Sequence, residues 1–405
     1  MSIHPFPSSP ALTSLLKRLG VAASANTERA TSLCIVASIT NLPQIEQAHG
    51  TTFATAVLHI VGERARALCG NCIGTATTSG EHILFVFNIA TTPCGVGPFH
   101  APNTAILLDR VLTALGDHGI EAGSRSAFPT LCAKIVQFSD EPFNIVASGS
   151  TRMLYGQPGD IWRQQFIEDT EVAASIFCAM DEGRLQFAFE TICHATGAET
   201  VDYCEALLCE RIAGATTRVR LGSLVPALER LGLVRRLDRW VVNSIIKALR
   251  ADPDARLGCN ISAHSARLDA WWAAILNTLS EEPDIARRLI VEITETAPLT
   301  EFEEAREFVR VLRSLGCRVA LDDVGNGYSS VKNLLCLGVD IAKIDRTFVR
   351  DAFGEETARA RLRHLVEFAK TCAPSVVVEG VETEVDACVA RGCGATFLQG
   401  FLFRG

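Results

Sequence analysis

The chain has 405 residues, of which 48% are apolar and 21% charged, a composition typical of globular proteins rather than of disordered ones. Its formal net charge of -8 gives no bulk electrostatic reason to bind nucleic acid. The chain has no apolar run of about 18 residues, as a transmembrane helix requires. Its first residues lack the basic and apolar segments of a secretory signal. We therefore expect a cytoplasmic protein with no membrane insertion and no nucleic-acid partner.

The 15 cysteines are scattered from Cys34 to Cys393, and their odd number argues against a disulfide framework. The close pair Cys69 and Cys72 has no second pair or nearby histidine to complete a four-ligand zinc site. Reduced and mostly buried thiols in a cytosolic protein are the favoured interpretation.

The amino-terminal part of the chain divides by composition into a lead-in, a small α/β domain and a linker. Residues 1–30 are rich in Ser, Pro, Ala and Thr, which predicts a loose segment with one helix near Leu12–Leu19. Residues 31–160 contain short apolar runs that predict strands on either side of a helix. Residues 161–180 are predicted to form a linker helix. The predicted elements of the small domain are the strands Leu33–Ile39 and Ile83–Phe87 and the helix Thr52–Leu68.

Residues 181–405 alternate between apolar strand-like runs and amphipathic helical stretches. Eight such strands over about 220 residues predict a TIM-type (β/α)8-like barrel. The gap between Leu208 and Leu257 has room for two helices, one of them at Asp238–Leu249. Other predicted helices are Phe302–Leu315 and Arg359–Cys372. The predicted strands are Leu185–Ile192, Val201–Leu208, Leu257–Ile261, Leu289–Ile293, Arg318–Leu321, Ile341–Ile344, Val376–Val378 and Thr396–Leu402.

A polar residue that suits metal or phosphate chemistry occurs where most of these strands end. In a barrel the carboxyl ends of the strands converge on one rim, so these distant residues are expected to meet in one pocket. A helix cap or a solvated loop explains any one of them alone, but not the recurrence of so many at the same structural phase. They are Glu205, Asn260, Glu292, Asp322 with Asp323, Lys343, Glu379 and Gln399.

Five carboxylates in one pocket require counter-charge, and oxygen ligands favour Mg²⁺ or Mn²⁺ over zinc. Asp322 and Asp323 are adjacent and would point to opposite faces of a continuing strand. We expect the following Val324-Gly325-Asn326-Gly327 segment to bend the chain so that both reach one metal pair. Two metals about 4 Å apart indicate phosphoester hydrolysis. Lys343 could orient the attacking water or form a salt bridge to a neighbouring acid.

These motifs, taken in order, resemble the EAL family of cyclic di-GMP phosphodiesterases over about residues 180–405. The signature tripeptide is matched by Glu205-Ala206-Leu207, and six further segments follow in the family's order. They are Asn260-Ile261-Ser262, Glu292-Ile293-Thr294-Glu295, Asp322-Asp323-Val324-Gly325-Asn326-Gly327-Tyr328-Ser329-Ser330, Lys343-Ile344-Asp345, Glu379-Gly380-Val381-Glu382-Thr383 and Gln399-Gly400-Phe401-Leu402.

The resemblance implies that the protein opens one phosphodiester of cyclic di-GMP to give linear pGpG, as a homodimer. It implies catalytic roles for Lys343, Glu379 and Asp323, with Lys343 in contact with the attacking water. Gln399 would support the site, Glu295 would hold the Asp-Asp loop, and Leu207 and Glu382 would bind substrate. Two Mg²⁺ or Mn²⁺ ions per EAL domain would be held by Glu205, Asn260, Glu292, Asp322, Asp323 and Glu379.

The departures from the family concern substrate binding. The family carries an Arg that grips a substrate phosphate two positions after the signature Leu, where this chain has Cys209. Glu190 replaces the Gln of the first strand and Val324 the Phe of the loop. From the missing charge-assisted contact, we expect cyclic di-GMP to bind about ten to a hundred times more weakly than with Arg. The alternatives are a catalytically silent cyclic di-GMP receptor or protein-interaction module, and a different Mg²⁺ barrel enzyme of the enolase kind.

Residues 31–160 resemble, weakly, a degenerate GGDEF domain, the module that makes cyclic di-GMP. Its motif aligns with Ser79-Gly80-Glu81-His82-Ile83, and the Asp-x-Asp of active domains aligns with Ser38-Ile39-Thr40. Without those aspartates a two-metal synthase site is incomplete, so a structural or regulatory role is expected.

Overall fold

The computed structural model describes residues 32–71, 74–88, 101–123, 125–136, 159–211, 218–294, 301–325, 331–352 and 355–403. It divides into two compact units between Ala174 and Ser175. The predicted lead-in at residues 1–30 lies outside the described residues, and the predicted linker segment lies in the helix Asp160–Asp181. Within the described ranges no helix is both long and apolar enough to cross a membrane.

The first unit is built on an antiparallel sheet with the strand order β2-β3-β1-β6. β1 is the most buried strand, because Cys34, Ile35, Val36 and Ala37 place apolar side chains on both of its faces. The predicted strands and helix of this region are present, and β2, β6 and the hairpin of β4 and β5 are added to them. The strands are β1 (Ser32–Ile39), β2 (Gly74–Ser79), β3 (His82–Asn88), β4 (Ile120–Ala122), β5 (Arg125–Ala127) and β6 (Leu131–Val136), and the helices are Leu42–His49, Thr51–Asn71 and Ala101–Gly116.

The second unit is a closed eight-stranded barrel, which confirms the predicted fold class. The sheet runs β10-β11-β12-β13-β14-β15-β7-β8-β9, and an additional pairing of β10 with β8 closes it. β9 is attached outside the closed ring, at the end of β8. The strands are β7 (Leu185–His194), β8 (Gly197–Arg211), β9 (Arg218–Arg220), β10 (Leu257–Ser262), β11 (Leu289–Thr294), β12 (Arg318–Val324), β13 (Ile341–Ile344), β14 (Ser375–Val378) and β15 (Phe397–Gln399).

The barrel differs from a simple strand–helix alternation in its first strand. β7 is antiparallel to both of its neighbours, β8 and β15, whereas the other barrel strands pair in parallel. Only Ala195 and Thr196 separate β7 from β8, and a turn this short joins antiparallel strands because a parallel pair needs a long crossover. β7 therefore runs back past β8, and its Glu190 lies directly opposite Glu205.

Helices cover the outside of the barrel because each presents one apolar stripe to it. In the helix Phe302–Ser314, for example, Ala305, Phe308, Val309 and Leu312 are buried at the spacing of one helix face. The final strand is shorter than predicted and is followed by a 3₁₀ turn, Phe401–Phe403. The helices of this unit are Val225–Leu231, Val234–Ala251, Ala270–Glu281, Pro283–Ala286, Phe302–Ser314, Val331–Cys336, Arg346–Asp351, Glu356–Cys372 and Glu384–Gly392, and the predicted pair between β8 and β10 is among them.

A layer of apolar side chains fills the barrel interior and fixes the level of the polar residues. Its members form one buried cluster contributed by seven of the eight strands. Since side chains on one face of a strand recur every second residue, the next inward layer on each strand is two residues away. The apolar layer consists of Ile192, Tyr203, Ile290, Ala320, Ile341, Val377 and Phe397.

Candidate functional site

The layer next to this apolar layer is composed of polar residues. On the parallel strands, a polar residue lies two residues after each member of the apolar layer. On the antiparallel β7, Glu190 lies two residues before Ile192. Asn260 follows Gly258 in the same way on β10. The layer therefore comprises Glu190, Glu205, Asn260, Glu292, Asp322, Lys343, Glu379 and Gln399, and we call it the polar layer.

Lys343 lies at the centre of the polar layer and is fully buried. Its Nζ is 2.9 Å from Glu205 Oε2, 2.7 Å from Glu292 Oε2, 3.2 Å from Asp322 Oδ1 and 2.7 Å from Glu379 Oε1. Burial opposes the charged form, but the four carboxylates outweigh it and raise the lysine pKa well above its usual value. One ammonium group therefore faces four carboxyl groups, and its single charge cannot balance them if all four ionise.

Glu205 is the most extensively hydrogen-bonded of these acids. Its Oε1 accepts a bond from Asn260 Nδ2 at 2.5 Å, and its Oε2 accepts bonds from Gln399 Nε2 at 2.6 Å and from Lys343. Burial alone would raise the pKa of Glu205, but Lys343 and the amide donors reverse this and lower it. Glu205 is accordingly the acid that stays ionised most readily.

The other acids of the cluster have raised pKa values. Burial, together with the charges of Glu205 and Asp322, raises the pKa of Glu292 to about 8 against the attraction of Lys343. Burial likewise raises the pKa of Asp322 and, more strongly, that of Glu379. Carboxylates that resist ionisation in this way favour added cations, because a bound cation removes both the burial penalty and the mutual repulsion.

The Asp322-Asp323 pair reaches one site through a bend within the pair itself. The pairing of β12 with β13 shifts register between Leu321 and Val324, and Asp323 has a φ of 55°, unusual for a residue other than glycine. Within the expected bend at residues 324–327, Gly325 also has a positive φ, 98°, and residues 326 and 327 lie outside the described residues. Burial and the neighbouring Asp322 raise the pKa of Asp323 to about 6.

The donor set fits a pair of hard divalent cations. Ligand atoms of Glu205, Glu292 and Asp322 lie within 4.8 Å of one another, and so do those of Asp322, Asp323 and Glu379. Asp322 belongs to both groups, so two adjacent cation positions would share this one acid. Among the residues that the structure describes, Asn260 Oδ1 and Glu292 Oε1 are buried and have no hydrogen-bond partner, as expected of atoms that complete a coordination shell. All of these donors are oxygens, which favours Mg²⁺ or Mn²⁺.

Gly258 shows how closely this region is packed. A Cβ atom there would clash with Glu292 Oε1 and would lie 2.7 Å from Tyr203 Cε2. Only glycine at this position leaves room for the Glu292 carboxylate.

The predicted site residues outside the polar layer have different positions. Leu207 lies on the same face of β8 as Glu205, one step farther along the strand. Glu382 is exposed, and its backbone N–H donates to Asp386 Oδ2 at 3.2 Å. Glu295 lies outside the described residues, as do residues 326–330 of the Asp-Asp loop.

Glu190 and Arg220 are site residues whose pairing the sequence analysis missed. The Nη2 of Arg220 is ion-paired with Glu190 Oε1, and Gln399 Nε2 lies 3.4 Å from Glu190 Oε2. The sequence predicts helices for the gap between β8 and β10, so Arg220 is not among the predicted site residues. The alternation in Arg218-Val219-Arg220, typical of a short strand, was the available signal.

Cys209, where the family carries an Arg, is buried. Its Sγ lies 3.4 Å from Leu207 O, and its partner on β9 is Arg220. Every cysteine in the described ranges is free.

In the first unit, the residues aligned with the synthase motifs lie together on the sheet. Ser38 pairs with His82 across β1 and β3, and the Ser38 hydroxyl is 2.7 Å from His82 Nδ1. Thr40 bonds to Thr130 instead. Hydroxyl and imidazole groups thus occupy the positions that the sequence resemblance aligns with the carboxylates of a synthase.

Residues 173–404 match the EAL domain family. An uncharacterized protein of Azorhizobium caulinodans is 36% identical over 195 residues, which cover 44% of this chain and 26% of that protein. The cyclic di-GMP phosphodiesterase PdeL of Escherichia coli is 32% identical over 184 residues, 44% of this chain and 51% of PdeL. These matches span about a quarter and about half of the relatives' own lengths.

A solved structure of Vibrio cholerae LapD, comprising its S helix, GGDEF and EAL parts bound to c-di-GMP, has a TM-score of 0.53. The alignment covers 97% of this chain and 93% of that one at 15% identity. At this identity the likeness concerns the fold.

Proposed function

The chain belongs to the EAL domain family, and we propose on this premise that it is a metal-dependent phosphodiesterase that hydrolyses cyclic di-GMP to linear pGpG. Such an enzyme would control cyclic di-GMP signalling. The observation that carries the proposal is the sharing of Asp322 by two groups of three acids, each within 4.8 Å. Two adjacent cation positions suit the in-line cleavage of a phosphodiester.

The residues divide the work according to their positions. Glu205, Asn260, Glu292 and Asp322 would hold one ion, and Asp322, Asp323 and Glu379 the other. When bound, the ions supply Lewis-acid stabilisation and lower the pKa of water so that it can act as a nucleophile. Lys343 Nζ lies within 3.2 Å of four carboxylates. Once the ions engage those carboxylates, one of its three N–H groups would donate a hydrogen bond to the attacking water, and its charge would balance developing negative charge.

The test is the incubation of purified protein with cyclic di-GMP and Mg²⁺ or Mn²⁺, with chromatographic detection of pGpG. Glu205→Gln removes one charge with little change in volume, and we expect it to abolish turnover and leave the fold intact. Glu281→Gln, at an exposed acid whose Oε1 accepts a hydrogen bond from Asn277 on its own helix, is the matched control and should retain full activity. Turnover in excess EDTA, or undiminished turnover in Glu205→Gln, would contradict the two-metal proposal.

A second candidate function is a silent receptor or protein-interaction module. It is favoured by Cys209, which is buried at the position where the family carries an Arg. Under this alternative, the wild-type protein binds cyclic di-GMP and releases no pGpG with either metal.

We further propose that the protein works in the cytoplasm as a homodimer and that its first unit is a degenerate GGDEF domain. The free thiols support a reducing compartment, and the fold likeness to the S helix-GGDEF-EAL structure supports the domain assignment. Light scattering on the purified full chain tests the dimer.

A further inference from the structure

Glu190 adds a further carboxylate to the polar layer, and the structure shows how its charge is balanced. Its Cα pairs with that of Glu205, and directly opposite like charges on neighbouring strands repel. Gln399 Nε2 lies between the two, at 3.4 Å from Glu190 and 2.6 Å from Glu205. Arg220 supplies the positive charge by its ion pair with Glu190.

Arg220 reaches this position across β8. It is the partner of Cys209 on β9, and opposite residues of an antiparallel pair share one face of the sheet. Cys209 shares that face with Leu207 and Glu205, because side chains on a strand alternate. Since β8 lies between β7 and β9 in the sheet, the Arg220 side chain passes over β8 to meet Glu190. It therefore lies over the inner face of β8, next to position 209.

Arg220 differs from Lys343 in its accessibility. Lys343 is buried and engaged by four carboxylates, whereas the Arg220 side chain is 48% exposed and that of Glu190 13%. The ion pair occupies Nη2, and the other guanidinium donors make no hydrogen bond within the described residues. A planar guanidinium group with unused N–H donors is well suited to hydrogen-bond a phosphate group.

We propose that Arg220 donates hydrogen bonds to an anionic phosphodiester group of the cyclic dinucleotide and so supplies, from β9, the contact that Cys209 cannot make. Glu190 acts as a positioning residue that holds the guanidinium over β8. The inference rests on the proposed function, because it concerns the substrate of the same site.

The competing explanation is that Arg220 only neutralises Glu190, and a pair of variants separates the two. Arg220→Gln weakens binding under either explanation, because it removes a cation and the ion pair of Glu190 beside an anionic ligand. In the double variant Arg220→Gln with Glu190→Gln, the uncompensated charge is removed as well. If Arg220 contacts the phosphate, the double variant stays weak; if it only neutralises Glu190, binding returns to the wild-type level.

The experiment titrates full-length protein with cyclic di-GMP in Ca²⁺, which is chosen to suppress turnover. We expect a ten- to hundredfold increase in Kd for Arg220→Gln and for the double variant, and a smaller increase for Arg220→Lys, which keeps the charge without the fork. In Mg²⁺, KM should rise more than kcat falls. The control is Arg256→Gln, which should leave Kd unchanged. The Arg256 side chain is 59% exposed, lies at the opposite, amino-terminal end of β10, and has its Nη1 4.0 Å from Asp202 Oδ1.

The outcomes distinguish a failure of the Arg220 proposal from a failure of the proposed function. Wild-type binding with an unchanged Kd in Arg220→Gln, or full recovery in the double variant, overturns the role of Arg220 and leaves the proposed function standing. A wild-type protein that neither binds nor cleaves cyclic di-GMP overturns both. Circular dichroism of each variant checks that its fold is retained, and Arg220→Lys provides the test if Arg220→Gln does not fold.

Discussion

Replacing Asp238 by Asn should stabilise the protein relative to the wild type by an amount that grows as the pH rises from 5 to 7. Asp238 lies on the helix Val234–Ala251, and its Oδ2 accepts a bond from the backbone N–H of Ser262 at 3.0 Å and from the Ser265 hydroxyl at 2.6 Å. Burial raises its pKa to about 7 from the model-compound value of 3.8, despite these two bonds, and Glu229 adds to the rise. The charged form is therefore unfavourable in the folded protein.

The sign and the size of the effect follow from this shift. A folded-state pKa above the unfolded value contributes stability that is fully present below pH 3.8 and is lost as the pH rises through about 7. The loss is about 1.4 kcal/mol per pH unit within this window and about 4 kcal/mol in total. Asp238→Asn keeps an acceptor oxygen for the two bonds and cannot ionise, so its stability lacks this slope.

The assay is urea unfolding of wild type and Asp238→Asn, followed by circular dichroism between pH 5 and pH 8. The difference between the two free energies of unfolding cancels the other titrating groups, and we expect it to grow by about 2 kcal/mol in favour of the variant from pH 5 to pH 7. Asp254→Asn, at an exposed carboxyl, is the control and should parallel the wild type. Parallel curves for Asp238→Asn would refute the reasoning.

Three further predictions concern the two units. Lys343→Gln removes the cation that faces the buried carboxylates, so in EDTA it should lower the free energy of unfolding by about 3 to 5 kcal/mol. Mg²⁺ should reduce that loss of stability. Equal melting temperatures of the variant and the wild type in EDTA would contradict the ion-pair geometry. The sequence predicts that Cys209→Arg tightens cyclic di-GMP binding ten- to hundredfold. Because Arg220 lies beside this position, we expect a gain of that size only when Arg220→Gln is also present. Titration of Cys209→Arg against the wild type, and of the double variant against Arg220→Gln, would show the difference. The full chain should make no cyclic di-GMP from GTP and Mg²⁺, because the hydroxyls of Ser38 and Thr40 cannot replace anionic metal ligands; detection of the product would overturn this.

The sequence alone determined the barrel and the composition of most of the polar layer. Apolar strands and amphipathic helices have distinct periods that can be read locally, and their alternation predicts this class of fold. Because side chains alternate along a strand, a polar residue such as Glu292 or Gln399 two positions after a buried apolar one could be placed at the rim before any contact was known. The limits of individual strands were less well determined, as the short β15 shows.

The tertiary structure alone decided what depends on contacts between distant residues. The antiparallel direction of β7, which puts Glu190 opposite Glu205, follows from the two-residue turn that joins it to β8, and the predicted strands, separated by residues 193–200, did not show this turn. The Arg220–Glu190 pair joins strands on either side of β8, and no local pattern encodes such a contact. The raised pKa of Asp238 likewise arises from burial beneath residues of another segment. Periodicity determines which face a residue occupies, whereas its neighbours across the barrel, and hence its charge and its chemistry, are set by packing.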